Sequence, residues 1–270
     1  MSARLNTTID QSSRLSLYVQ VMQAIQDSVA DGSISPGEQL PGEPELCQMF
    51  GVSRTVIRQA LRELEYDGVI VRKKGKGTFI AYPKLKESLA AELTGFYQDM
   101  EAKGHAPFSK ILKQEIEPAS RKVAAYLQFE AGTPVIRIDR LRFVQEEPIV
   151  LVSSYLPYAL FPELVNVNLS RRSLYEYLAE EYGIVISRGH RFLEAVTANE
   201  LESQLLQVPK GAPLMLLDSI SYLADNTPIE YYHALHRGDR SRFEVELIRL
   251  AGDQKDLHEV LYDALKVPSG

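Results

Sequence analysis

The sequence predicts an α+β fold in two parts, a small helical unit that ends in a β-hairpin and a larger unit built on an antiparallel β-sheet. Helical patterns and a glycine-rich pair of strands fill the first part, whereas alternating strand patterns dominate the second. Prolines at hairpin positions of the second part favour antiparallel pairing. We expect a first domain at 1–82, a linker at 83–88, a second domain at 89–252, and a C-terminal helix and tail at 253–270.

The composition is that of a globular protein and excludes several other classes. With 270 residues, the chain is long enough for two packed domains. The single cysteine, Cys47, excludes an internal disulfide framework, and we expect it to be a small core residue. No apolar run approaches the roughly 18 residues of a membrane span, and the polar start lacks the apolar core of a secretory signal. These features predict a cytoplasmic protein with no membrane partner.

Positive charge is concentrated in one short part of this acidic chain. The formal net charge is -6, yet seven basic side chains stand against three acidic ones between residues 54 and 76. A local basic patch in an acidic protein indicates a polyanionic partner for that unit alone.

The first two helices have recognisable start and stop signals. Apolar residues recur at helical spacing from Leu17 to Ala30, and Asp31-Gly32 ends this helix. The turn-rich connection that follows contains a short extended piece, Gln39-Leu40-Pro41. A second helix is predicted from Glu43 to Phe50, with a proline in its first turn and a sharp turn at Gly51.

The third helix has one apolar face and one cationic face. Ser53 is a suitable N-cap for a helix that runs from Arg54 to Tyr66. Arg54, Arg58 and Arg62 repeat every four residues, away from the apolar positions. Such spacing is also typical of a solvated helix face, so the arginines alone leave both interpretations open.

Two short strands, Val69 to Arg72 and Thr78 to Tyr82, follow the third helix and enclose a basic, glycine-rich turn. Three helices followed by a basic hairpin make a winged helix-turn-helix, in which the third helix enters the major groove of DNA and the hairpin, or wing, reaches the backbone or an adjacent groove. The arginine fork suits guanine edges and phosphates, and the hydroxyls of Ser53 and Thr55 suit phosphate oxygens. A phosphate-binding loop is excluded because the spacing of that motif is absent. Double-stranded DNA is the predicted partner.

The stretch "LPGEPELCQMFGVSRTVIRQALRELEYDGVIVRKKGKGTFI" resembles the DNA-binding domain of the GntR family of bacterial transcription regulators, over about residues 15–82. The shared motifs are Leu-Pro-x-Glu-x-x-Leu, Gly-Val-Ser-Arg-x-x-Ile-Arg-x-Ala-Leu and Gly-x-Gly-Thr-Phe. Gly42 and Pro44 depart from the family pattern, and Pro44 cannot make the base contact that some members draw from that position. The resemblance implies DNA contacts from Arg54, Thr55 and Arg58 on the third helix and from Lys76, Gly77 and Thr78 on the wing.

Strands and helices alternate in the second part. The predicted strands are Lys110 to Glu117, Val135 to Val144, Ile149 to Leu156, Arg188 to Thr197, Leu214 to Tyr222, Ile229 to His236 and Phe243 to Leu250. The predicted helices are Leu89 to Lys103, Ser120 to Leu127, Ser173 to Tyr182 and Asn199 to Leu206, with a further amphipathic helix at 255–266. We expect this last helix either to dock on its own domain or to contact a second subunit.

The strand "PVIRIDRLRFV" carries two arginines on a face that is otherwise apolar. Arg140 and Arg142 share the parity of the apolar residues on either side of them, so burial requires a partner for each charge. Glu230 is one candidate, because it lies with Tyr232 and His236 on one side of another strand. An anionic ligand is the other candidate.

From about Leu89 to Leu250 the chain resembles the ligand-binding UTRA domain of the HutC subfamily of GntR regulators, with cues such as "RIDRLRFVQEEPIVLVSSYLP" and "PIEYYHALHRGDRSRFEVEL". This resemblance implies a chorismate lyase-like fold. It also implies that two arginines hold an anionic group, a serine adds a hydroxyl and a glutamate accepts hydrogen bonds from the ligand. The implied effector-binding residues are Phe96, Tyr97, Arg140, Arg142, Ser173, Tyr175, Glu230 and His236. Val152 and His236 depart from the pattern of sugar-phosphate binders. These departures disfavour an amino sugar, but an anion is still the expected ligand.

These features together predict a DNA-binding transcription regulator, by resemblance a repressor, that binds a palindromic operator as a homodimer. A small anionic metabolite, such as a sugar phosphate, would control its DNA affinity. No cofactor motif is present, and the histidine spacings fit no metal site. The alternatives are an enzyme of chorismate lyase-like fold that acts on a small anionic substrate, and an architectural DNA binder without a ligand. No nucleophile with an adjacent base supports the enzyme.

Overall fold

The computed structural model describes residues 5, 7–73, 75–88 and 96–245 of the chain. The first unit contains α1 (Leu17–Ala30), α2 (Glu43–Phe50), α3 (Arg54–Tyr66), β1 (Ile70–Lys73) and β2 (Gly77–Ile80). The remaining elements are β3 (Leu85–Ser88), α4 (Phe96–Ala102), β4 (Phe108–Pro118), α5 (Arg121–Leu127), β5 (Pro134–Val144), β6 (Glu147–Pro157), a 3₁₀ helix (Pro162–Asn166), α6 (Leu174–Tyr182), β7 (Arg188–Thr197), α7 (Glu200–Leu206), β8 (Pro213–Tyr222), β9 (Pro228–Arg237) and β10 (Ser241–Glu244).

The bounds of α1, α2 and α3 agree with the sequence prediction, because strong local signals define their ends. Gly51 ends α2 in the left-handed conformation, with φ 64°, and the Ser53 side chain caps α3. Most strands of the second part extend one or two residues beyond the predicted bounds.

Four predicted segments differ from the structure or fall wholly or partly outside the described residues. The segment 83–88, predicted as a linker, contains β3. The strand predicted at 243–250 begins earlier, at Ser241, and its predicted residues from 246 onwards lie outside the described part of the chain. The structure describes the helix predicted at 89–103 only from Phe96, and the predicted helix at 255–266 lies outside the described residues.

The first unit has its own hydrophobic core, from which the wing projects. Ile57, Leu61 and Leu64 of α3 are buried against Val21 and Ile25 of α1. Strands β1 and β2 pair antiparallel, from Ile70 opposite Ile80 at the base to Lys73 opposite Gly77 at the tip. Both isoleucines belong to the core, so the base of the wing is anchored while its tip is exposed.

The second unit is a six-stranded antiparallel sheet with helices on both faces. Its strand order is β4-β5-β6-β9-β8-β7. Helices α4 and α6 pack on one face, against residues that include Ile138 and Val152. Helices α5 and α7 pack on the other face, against residues that include Val135 and Leu235. Because side chains alternate along a strand, the two faces take residues of opposite parity. No helix among the described residues has the length and apolar character to cross a membrane.

A small parallel sheet joins the segment after the wing to the end of the second unit. Strand β3 pairs with β10, from Leu85 opposite Ser241 to Ser88 opposite Glu244. Leu85 is buried in the cluster beneath α4. The chain therefore meets the second unit within a few residues of leaving the wing.

The packing of α3 gives a stability prediction. Leu64 is fully buried, so Leu64→Ala should lower the free energy of unfolding by about 2–5 kcal/mol through lost burial and a residual cavity. Tyr66, on the same helix, is 88% exposed, and Tyr66→Ala should change it by about 0.5 kcal/mol or less. Urea unfolding followed by circular dichroism measures both, and equal losses would contradict the packing described.

Candidate DNA interface and ligand site

The start of α3 presents polar and cationic groups to solvent. The Ser53 Oγ accepts a hydrogen bond from the Val56 backbone N–H at 3.4 Å, which leaves its hydroxyl hydrogen able to donate. Arg54 and Thr55, in the first helical turn, are exposed. Arg58 is exposed as well, and its Nε lies 3.5 Å from Glu43 Oε2 in a surface ion pair worth at most about 1 kcal/mol. A phosphate can displace that carboxylate at little cost.

The wing supplies the second cationic element. Lys76 and Gly77 are exposed at its tip, and Thr78 is half-buried. The Lys76 N–H donates to the Lys73 carbonyl at 2.9 Å and closes the turn. Gly77 has φ 120°, a conformation that side chains other than glycine rarely adopt, so the tip depends on a glycine at this position. The seven predicted DNA-contacting residues thus lie at the start of α3 or on the wing.

Two arginines occupy the buried face of the sheet beneath α4 and α6. Arg140 is 3% exposed and Arg142 is 7% exposed, both on β5. One Nη of Arg140 donates to Ser154 Oγ at a long 3.4 Å, and the buried Arg140 Nε has no hydrogen-bond partner among the described residues. The Arg142 guanidinium lies over the rings of Phe96 and Tyr232, at 5.0 and 5.8 Å from their centroids.

The carboxylate expected to balance these arginines has other partners. Glu230 is 1% exposed, and its Oε2 accepts hydrogen bonds from the Tyr175 hydroxyl at 2.7 Å and the Ser221 hydroxyl at 3.2 Å. Among the described residues, no carboxylate oxygen lies within 4.0 Å of either arginine. The site therefore contains two buried cations and one buried anion that hydroxyl groups already bind.

The electrostatic consequence appears in the pKa values. Burial lowers the pKa of Arg140 to about 9, and repulsion by Arg142 adds to the effect while Glu230 opposes it. Arg140 is still charged at neutral pH, so the fold holds this charge against a loss of hydration. Burial and the neighbouring Glu230 also raise the pKa of the Tyr175 hydroxyl well above its ordinary value, which keeps it a hydrogen-bond donor.

The remaining predicted ligand residues lie at different distances from this centre. Ser173 is 2% exposed and caps α6, where its Oγ accepts from the Glu176 N–H at 3.4 Å. His236 shares the face of Arg142 but is separated from it by Val150 in the register, so their backbones are about 10 Å apart. Tyr97 is half-buried, and no described contact joins it to the arginines; burial raises its pKa, with Glu101 as the next cause.

The sequence interpretation missed two buried hydroxyl groups in the site. Ser154 and Ser221 lie on β6 and β8, 0% and 1% exposed, and contact Arg140 and Glu230 respectively. A serine within an apolar strand is a weak signal, because which face it occupies depends on the strand register.

Histidines do not form a metal site in the part of the chain that the structure describes. His233 lies on the opposite face of the sheet from His236, where its Nδ1 is 2.6 Å from Asp218 Oδ1. No group of three or more His, Cys, Asp or Glu side chains within the described residues could hold a metal ion.

The charge imbalance predicts that Arg140 reduces the stability of the ligand-free protein. Arg140→Met replaces a buried, poorly bonded cation by an apolar chain and should raise the free energy of unfolding by about 1 kcal/mol. Arg137→Met is the matched control on the other side of β5, where Nε lies 2.9 Å from Asp139, and should lower it by up to about 1 kcal/mol. Thermal unfolding without ligand measures both. A clear loss in Arg140→Met would show that the guanidinium is already compensated.

Comparison with known proteins identifies both units. Residues 17–80 match the family described as bacterial regulatory proteins, gntR family, and residues 102–242 match the UTRA domain. The HTH-type transcriptional repressor NagR of Bacillus subtilis (strain 168) is 32% identical over 243 residues, which cover 90% of this chain and 99% of that protein. The histidine utilization repressor of Pseudomonas putida is 30% identical over 228 residues, or 84% of this chain and 90% of that protein.

A solved structure agrees with these matches. The crystal structure of PhnF from Mycobacterium smegmatis superposes with a TM-score of 0.61 at 26% identity and covers 87% of this chain and 100% of that chain. The chain therefore belongs to the GntR family of bacterial transcription regulators, in its HutC subfamily, as a DNA-binding regulator with a UTRA effector domain and not an enzyme.

Proposed function

We propose that this regulator binds a small anionic metabolite, such as a sugar phosphate, beneath α4 and α6, and that the bound anion changes its affinity for DNA. The proposal rests on the two buried arginines, Arg140 and Arg142, which form no ion pair with a carboxylate among the described residues. A phosphate or carboxylate would accept charge-assisted hydrogen bonds from the guanidinium groups and offset the loss of their hydration. Glu230, with Tyr175 and Ser221 beside it, is suited to accept a hydrogen bond from a ligand hydroxyl.

The DNA partner in this proposal is a palindromic operator, read by a homodimer in the cytoplasm. Recognition helices of a dimer read half-sites one helical turn or a multiple of it apart, so a two-fold protein matches a two-fold DNA site. The relatives are repressors by name, which supports repression as the direction of control. The effector acts only to the extent that it binds the two arrangements of the DNA-binding units with different affinities.

Two substitutions separate the DNA and ligand functions. Arg58→Ala removes a cation of α3 and should abolish operator binding while ligand binding persists. Arg140→Ala should abolish the response to ligand while leaving operator binding intact.

A thermal-shift screen with sugar phosphates, and with the matching unphosphorylated sugars as controls, identifies the ligand because a specific effector raises the melting temperature. The proposal fails if the sugar phosphates stabilise the wild-type protein no more than the matching unphosphorylated sugars do, or if both substitutions impair both activities without unfolding it.

Charged contacts between the two units offer a route from the ligand to the wing. Glu147, the first residue of β6, places Oε1 3.8 Å from Lys73 Nζ of the wing and Oε2 3.0 Å from Arg240 Nε. Arg240 also donates to the carbonyls of Tyr82 at 2.7 Å and Pro83 at 3.0 Å. We therefore propose that the ends of the strands that hold the ligand also hold the wing and the segment after it.

This route predicts a loss of coupling in Glu147→Gln. Without its negative charge, residue 147 no longer binds Lys73 and Arg240 as ions, so the position of the wing should respond less to the ligand. The ratio of operator affinities with and without the effector should fall by about fivefold, within the usual range of coupling energies. Glu146→Gln, one residue away and exposed, is the control and should leave the ratio unchanged. Fluorescence anisotropy gives the ratio, and equal ratios in both variants would exclude this route.

A further inference from the structure

The two-stranded wing has further backbone support, because the connection between α1 and α2 runs along the free edge of β2 and hydrogen-bonds to it. The Leu40 N–H donates to the Thr78 carbonyl at 2.8 Å, and the Ile80 N–H donates to the Glu38 carbonyl at 2.9 Å. Gln39 lies opposite Phe79 as an antiparallel bridge partner. An isolated hairpin with strands of four residues is only marginally stable in water, and these added backbone hydrogen bonds stiffen it.

The side chain of Gln39 extends this support to the tip of the wing. Its Nε2 donates to the backbone carbonyl of Lys76 at 3.0 Å. Gln39 itself is exposed, but the next residue, Leu40, is 3% exposed in the core, so the backbone that carries the amide is fixed. A Cβ at Gly77 would lie 2.5 Å from the same Nε2, and the glycine therefore leaves the space that the amide occupies.

We propose that Gln39 is a positioning residue of the DNA interface, which holds the wing tip so that Lys76 is already placed for a DNA phosphate. Gly75 and Gly77 both have positive φ, at 73° and 120°, so the tip has few side chains to restrict its backbone. Ordering such a backbone only upon binding would cost conformational entropy, and a hydrogen bond formed beforehand lowers that cost. Gln39 acts through Lys76 and lies outside the two elements that the sequence assigned to DNA.

The position of Gln39 distinguishes this role from one in general stability. The base of the wing is held by the buried Ile70 and Ile80, independently of the glutamine side chain. The amide hydrogen bond lies at the surface, where its loss has little effect on global unfolding. Loss of this hydrogen bond should therefore weaken DNA binding, and in particular the part of the binding free energy that Lys76 contributes.

Substitution of Gln39 tests the proposal with the full-length protein and the duplex that this protein selects from a random-sequence library. Gln39→Ala and Gln39→Met both remove the donor, and Met retains the length of the side chain. Each should weaken binding by about fivefold, equivalent to about 1 kcal/mol. These variants should also lose the contact between Lys76 and a DNA phosphate. The slope of log affinity against log salt concentration should then become shallower by about one, as in Lys76→Ala. Gln23→Ala, exposed on α1, is the matched control and should bind as the wild type does.

A double-mutant cycle completes the test. When Lys76→Ala is already present, Gln39→Ala should cause little further loss, because the residue it positions is gone. Thermal unfolding of each single variant should match that of the wild type. The proposal is overturned if Gln39→Ala and Gln39→Met bind as the wild type does, if their losses add fully to that of Lys76→Ala, or if they lower the melting temperature in proportion to the lost affinity.

Discussion

The burial of two guanidinium groups on one face of the central sheet is the constraint on which the ligand-binding unit depends. The β-pleat places Arg140 and Arg142 on the same side of β5, and α4 and α6 cover that side. Glu230, a buried carboxylate on the same face of the sheet, is bound by Tyr175 and Ser221. A core arranged only for stability would place apolar residues here, so the charge is retained at a cost in folding free energy. That cost is understandable if an anion supplies the missing negative charge.

The DNA-binding unit uses the same residue types under opposite physical conditions. Its cations on α3 and at the wing tip are exposed, and the ion pair between Arg58 and Glu43 lies at the surface. In this setting affinity for DNA comes from many weak, salt-dependent contacts, and their geometry must be set by the backbone that carries them. Rigid support matters more at the wing than on α3, because a helix is self-supporting whereas a short hairpin is not. The segment that includes Gln39, which pairs with the free edge of β2, provides such support.

The two units are connected through the ends of the strands that carry the proposed ligand site. Strand β5 carries both arginines and leads through a two-residue turn to Glu147 at the start of β6, while β9 carries Glu230 and leads towards Arg240. Glu147 and Arg240 meet each other and contact the wing and the segment after it. A shift of β5 or β9 upon ligand binding would therefore act directly on contacts with the DNA-binding unit. Helical or strand propensity does not encode this arrangement, since it joins residues far apart in the chain.

The sequence alone determined the local elements and the class of protein. The caps, glycines and apolar spacing gave α1, α2 and α3 with their observed bounds, and strand parity placed Arg140 and Arg142 on one face. Local interactions within a few residues decide these features, so they can be derived from the order of the residues. The tertiary structure decided which strands are neighbours, and hence that Ser154 meets Arg140, that Tyr175 binds Glu230 and that Gln39 reaches Lys76. Strand order and register bring such residues together from distant parts of the chain, and no local pattern specifies them.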